Sequence, residues 1–325
     1  MNVNQIITQR IIQQMKEALE KGEKFYWVRP FSEGAPEQPF SYEGSVPYRG
    51  INRLLLPAGE YLTYNKMNEI SKKTGEDYHI RKGSHSHIAI YYGEIKIPTD
   101  EQDEESSVLK KGFLKYYRVF DRTDIINKDN EPITSKFDIK RYSHEEMEEK
   151  MMVALDKFND MVERYCKDND IEMIIVKDGA SAYFSYNPSD DSKRIRMPDM
   201  VNFQSVYDYI HTTAHEMIHS TGVKLNRELA SKKNETSYSK EELIAEIGAE
   251  MIIQNLGIPD DSIHKTNTIA YIQSWISHLD NNPNEIVSAA SKAEKACDFV
   301  LEYARDLEKE ELSNVKENKE KGEDR

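Results

Sequence analysis

His215-Glu216-Met217-Ile218-His219 is an H-E-x-x-H pattern, and its chemistry requires a helix. On a helix, residues four apart share a face, so both imidazoles reach one metal ion. Glu216 lies about 100° round the axis, near enough to take a proton from water beside that ion. The flanking sequence supplies the helix. Phe203, Val206, Ile210, Ala214, Met217 and Ile218 form an apolar stripe at helical spacing, with Gly222 as the expected stop. A chain of this composition yields such a match by chance only roughly 0.04 times.

A catalytic metal centre needs a third protein ligand and an open position. Downstream, Glu242, Glu246 and Glu250 recur every four residues on a second predicted helix, 240–256, ended by Gly257. Stacked carboxylates repel one another unless a cation offsets them. Ala245, Gly248 and Ala249 flank Glu246 and suit close packing against another helix. Glu246 is therefore the expected third ligand, with Glu242 next, as ligand or support. His211 extends the histidine row and reads as a supporting or surface residue. Two imidazoles and a carboxylate suit Zn2+, one per chain, with other divalent transition metals also admitted. The chemistry such a set performs is hydrolysis by activated water, with Glu216 as general base.

The rest of the chain sets the context. Its 325 residues favour two domains. The net charge of −14 is uneven: residues 1–100 carry +1 and the remainder −15. The N-terminal third thus stays open to an anionic ligand. Two cysteines make neither a disulfide framework nor a thiolate zinc site. No apolar run approaches the length of a membrane span. The amphipathic start does not read as a secretory signal, and a cytoplasmic protein is the simplest account.

The predicted fold class is α+β. A small mixed α/β domain spans 1–130 and a polar linker 131–143. A mainly helical domain with a small antiparallel sheet covers 144–307, and a charged, open tail 308–325. Within the first domain, 4–21 is helical up to Gly22, and 86–97 and 113–126 read as strands joined across an acidic loop. The second domain opens on a helix over 144–167, with Ser143 and Glu146 placed as a capping box. In the first domain, cations alternate with aromatics, the pattern of a groove for single-stranded nucleic acid. Its candidates are Trp27, Arg29, Tyr48, Arg49, Arg53, Arg81 and Lys82. Trp27 and Tyr48 read equally as core or as platform, whereas the cations are the firmer choices because cations rarely serve a core.

These segments carry a family resemblance. SDDSKRIRMP, HTTAHEMIHSTG, LNREL, YSKEELIAEIGAE, AYIQSWISHL and AASKAEKACDFVL resemble the zincin-like metallopeptidase domain of the ArdC-type antirestriction proteins. KGEKFYWVRPF, PYRGINRLLL, YLTYNKMNEI, HIRKGSHSHIAIYY and YYRVFDRTDI resemble the single-stranded-DNA-binding domain that precedes it in that family. The resemblance runs from about residue 4 to 303 in the same order. It implies a protein of mobile DNA that shields incoming DNA from restriction, with single-stranded DNA and an unidentified protein substrate as partners. Carried over residue by residue, it implies His215, His219 and Glu246 as ligands and Glu216 as base. The competing reading is a DNA-coating protein whose metal is purely structural.

Overall fold

The computed structural model describes residues 2–22, 25–27, 38–97, 109–137, 143–179, 181–229, 235–259 and 268–323. The candidate Arg29 lies outside them. The N-terminal half begins with helix α1 (Val3–Lys21), closed by a capping box at Asn2 and by Gly22 in the left-handed region. Short strands β1 (Pro39–Ser41) and β2 (Val46–Pro47) lead to α2 (Ile51–Leu55), β3 (Gly59–Leu62) and α3 (Tyr64–Thr74). After β4 (His79–Ile80) come the long strands β5 (His87–Ile97) and β6 (Leu109–Asp121), then β7 (Ile125–Ile126). β5 and β6 form the expected hairpin, in register from His87 opposite Val119 to Ile97 opposite Leu109. They sit at one side of a five-stranded sheet ordered β2-β1-β3-β6-β5, while β4 and β7 pair separately.

The second half opens on α4 (His144–Asp168), whose Ser143–Glu146 capping box forms as the sequence predicts. Strands β8 (Ile171–Val176), β9 (Tyr183–Asn187) and β10 (Ser192–Pro198) follow. This sheet is mixed rather than all antiparallel. β9 and β10 make a hairpin that lays β10 between β9 and β8, so β10 runs parallel to β8. Helices α5 (Val206–Lys224), α6 (Glu235–Asn255), α7 (Thr268–Asn281) and α8 (Glu285–Glu323) complete the fold. α8 carries on as helix through 308–323, where an open tail is expected. The Glu- and Lys-rich sequence there has high helix propensity, which outweighs its lack of apolar residues.

Gly222 does not stop α5. A Cβ there would come 2.5 Å from Leu229 Cδ2, so the glycine admits the returning loop, and the helix ends at Leu225.

The two halves do not keep separate cores. Ile7, Ile11, Met15, Trp27, Leu54 and Ile90 join Phe158, Met217, Ile252 and Val300 in one buried cluster. Among the described residues, the N-terminal half adds two small clusters of its own, around Tyr61 and Val119 and around Met67 and Ile125. Its strands β1–β3 are too short to bury a larger core alone. α1 packs on α7, and Thr8 Oγ1 donates to the Pro283 carbonyl at 2.6 Å.

Candidate metal centre

α5 is held at its start by the Ser205 hydroxyl, which accepts from the Asp208 N–H. Tyr207, Ile210, Ala214, Met217 and Ile218 are buried along it. Its partner α6 buries Leu243, Ile244, Ala245, Ile247, Ala249, Met251, Ile252 and Ile253, as suits a central helix. The two approach closely because Gly248 lacks a side chain. A Cβ there would lie 2.8 Å from Ile218 Cδ1.

This approach brings the histidines against the acidic row. His215 Nε2 and His219 Nε2 are 3.0 Å apart. Glu242 spans them, Oε2 at 3.5 Å from His215 Nε2 and Oε1 at 3.5 Å from His219 Nε2. Among the described residues, His215, His219 and Glu242 form the group whose donor atoms lie within 4.8 Å of one another. Glu246, the ligand expected from sequence, turns the other way. Its Oε1 lies 3.4 Å from His215 Nδ1 and its Oε2 3.6 Å from His211 Nε2. One helical turn along α6 separates the two carboxylates, and the offset between α5 and α6 sets Glu242, not Glu246, opposite the Nε2 atoms.

The far nitrogen of each imidazole faces a carboxylate. His219 Nδ1 lies 3.3 Å from Glu241 Oε1. Glu241 is buried and receives Arg227 Nη2 at 2.7 Å and Arg227 Nε at 3.1 Å. Arg227 also donates to the Ile218 carbonyl and to Thr221 Oγ1, both at 2.7 Å, tying the last turns of α5 to α6. Burial works to raise the Glu241 carboxyl, but the bonds to His219 and Arg227 outweigh it and hold it below its usual range. Sequence reading missed Glu241 and Arg227. A buried-charge partner 14 residues away leaves no periodic signal.

Burial also acts to lower His215, yet the bond to Glu242 and the charges of Glu246 and Glu216 prevail and raise it to about 9. Glu216 is buried and its Oε2 accepts the Phe184 N–H of β9 at 2.7 Å. Burial lifts this carboxyl, against the pull of His215 and His219. A buried carboxylate with a raised pKa, fixed by one backbone donor, is suited to take and return a proton.

The donor set fits a divalent ion. Two imidazole nitrogens at 3.0 Å with a carboxylate across both point converging lone pairs at one place, which a cation satisfies. The spacing is that of ligands about 2 Å from a common centre.

The nucleic-acid candidates fare differently. Trp27 is buried, edge-on to Phe25 and Trp275, and belongs to the core. Arg53 is 3% exposed. It donates to the Gln254 side chain and, at 3.3 Å, to the Met251 carbonyl of α6, with Glu294 3.8 Å away. Trp27, open to either reading in the sequence, thus lies in the core, and Arg53, expected on DNA, is instead buried and paired within the protein. Arg49 is half-exposed but bound to Asp298 and, at 3.3 Å, to Glu294 of α8. Tyr48 packs on Tyr61 and hydrogen-bonds Tyr117. Arg81 and Lys82 stay exposed, Arg81 Nη2 donating to the Thr123 carbonyl at 3.3 Å.

Two protein-family models match the chain. The N-terminal domain of anti-restriction factor ArdC covers residues 3–120, and a zincin-like metallopeptidase covers 160–292. The metal-free crystal structure of the antirestriction ArdC protein from plasmid R388 is 27% identical, with a TM-score of 0.63, over 94% of this chain and 99% of its own. The Mn(II)-bound structure of that protein gives 29% identity and a TM-score of 0.60, over 94% and 98%. The uncharacterized protein y4eC of Sinorhizobium fredii is 25% identical over 322 residues, 94% of this chain and 95% of its own length. DNA primase TraC of Escherichia coli is 42% identical over 120 residues. That stretch is 36% of this chain, which spans only 11% of the primase's length.

Proposed function

We propose that this ArdC-type antirestriction protein, with a zincin-like metallopeptidase domain behind an ArdC N-terminal domain, binds single-stranded DNA through its N-terminal half. Its second half hydrolyses a peptide bond in a protein associated with incoming DNA. The observation that carries the hydrolytic part is the set His215, His219 and Glu242 with Glu216 beside it, buried and bonded to β9.

In this reading His215 and His219 offer Nε2 and Glu242 one carboxylate oxygen to a divalent ion, zinc by ligand type. Glu246 is assigned the Nδ1 side of His215, where it orients the ring, and Glu241 does the same for His219. What the ion supplies is Lewis acidity, which acidifies water and polarises a carbonyl. Glu216 takes the water proton and passes it to the leaving amine, while the Phe184 N–H holds its carboxylate in place.

The test is plasmid transfer into a restricting host, comparing wild type with Glu216→Gln. That change keeps shape and ligands but removes the base. Loss of protection with metal content and DNA affinity intact supports hydrolysis as the effector. Retained protection makes DNA coating the activity and the metal site structural.

A further inference from the structure

Arg49 and Arg53, two of the cations first assigned to DNA, are engaged within the protein, and one part of the N-terminal half presents aromatics and cations together outward. The β5–β6 arm carries Tyr91 at 57%, Tyr92 at 61% and Tyr116 at 47% exposure. Directly paired residues of an antiparallel hairpin share a face. Tyr91 with Lys115, and Gly93 with Phe113, therefore lie on one side, continuous with Ala89 and Tyr117. The opposite side turns Ile90 into the large core and sets Tyr92 and Leu114 near Asn2, Val3 and Asn4 of the chain's start.

On the open side Tyr91 and Phe113 tilt toward each other, with ring centroids 6.2 Å apart. Lys115 Nζ stands 5.0 Å over the Phe113 ring. Gly93 is what makes room. A Cβ there would meet Phe113 Cζ at 2.4 Å and Tyr91 Cε1 at 2.9 Å. Cross-strand aromatic pairing stabilises a hairpin by itself. It does not account for leaving more than half of Tyr91 in water. The two strands hold five Lys/Arg against two Asp/Glu, in a chain of net charge −14.

We infer that the face formed by Tyr91, Phe113 and Lys115 is the platform on which bases of single-stranded DNA stack, with phosphate tracking past Lys115. Aromatic faces beside cations are what non-specific single-strand binding uses. The connection between Ile97 and Leu109 holds five acidic residues, which repel a polyanion at that end of the arm. This placement rests on the reading of the N-terminal half as a DNA binder and deepens it.

The test titrates the full-length protein into a fluorescein-labelled oligothymidine and follows anisotropy over a range of salt. Tyr91→Ala is expected to weaken binding about tenfold or more, and Tyr91→Phe to retain wild-type affinity, since stacking needs only the ring. Lys115→Gln is expected to lower the salt-dependence slope by about 0.7. Wild-type affinity and slope in Tyr91→Ala and Lys115→Gln would overturn the platform while leaving DNA binding intact. Equal loss in Tyr91→Ala and Tyr91→Phe would also overturn it, because the ring would not be the binding element. Failure of wild type to bind would instead sink the reading of the whole N-terminal half, and the platform with it.

Discussion

The α5–α6 interface and the contact of Arg49 and Arg53 with α8 both gather charge, and the protein uses the two sets in opposite ways. At the α8 contact the charges balance: Arg49 and Arg53 face Glu294 and Asp298, and Gln254 completes the bonding of the buried Arg53. Such a set is closed and acts as a fastener between the halves. At the interface Glu216, Glu241, Glu242 and Glu246 crowd the two motif histidines, and Arg227 offsets the charge of Glu241. That set has surplus negative charge and converging donors. Whether buried charge marks a ligand site depends on its local balance more than on its mere presence.

The sharpest way to break this contrast is to open the fastener. Arg53→Ala leaves Gln254 and the Met251 carbonyl without their buried donor and is expected to cost about 3–5 kcal/mol in urea unfolding. Arg81→Ala, at an exposed cation, should stay within about 0.5 kcal/mol. Equal effects would mean that Arg53 is no fastener. Next in size is the approach of the two helices. Gly248→Ala drives a methyl into Ile218 and is expected to cost about 1–3 kcal/mol and to weaken metal binding as α6 shifts. Calorimetry on the metal-free and loaded protein reads both effects.

Glu241→Ala is expected to lower metal affinity about 10–100-fold with the ligands untouched. An unchanged dissociation constant in competition with a chelator would remove Glu241 from any role at the site. A further effect is one of pH. In the metal-free fold His215 is raised from 6.5 to about 9, so its charged form favours folding. That contribution is complete below 6.5 and is lost as pH climbs to about 9. The melting temperature of metal-free protein should fall across that window, and His215→Ala should flatten the change.

How much of this was legible in the sequence follows from the range of the interactions. The α5 stripe, the Ser143 capping box, the β5–β6 pairing and the α6 acidic row are patterns within one or two elements, and all of them form. The small residues beside Glu246 correctly announced a close helix contact, which Gly248 makes with Ile218. The choice between Glu242 and Glu246 was not legible. Both share one helix face, and only the offset between α5 and α6 separates them. Arg53 was misread because its main partner, Gln254, lies 201 residues away. Nothing local distinguishes it from the exposed Arg81.

The central claim is that Glu242, with His215 and His219, faces the ion, while Glu246 orients His215 from behind. Equilibrium dialysis against Zn2+ with elemental analysis, on wild type, Glu242→Ala and Glu246→Ala, tests it most directly. The expected result is one ion per chain for wild type, loss of that ion in Glu242→Ala, and retention with weaker affinity in Glu246→Ala. Full binding by Glu242→Ala with loss in Glu246→Ala would contradict the claim and restore Glu246 as the third ligand.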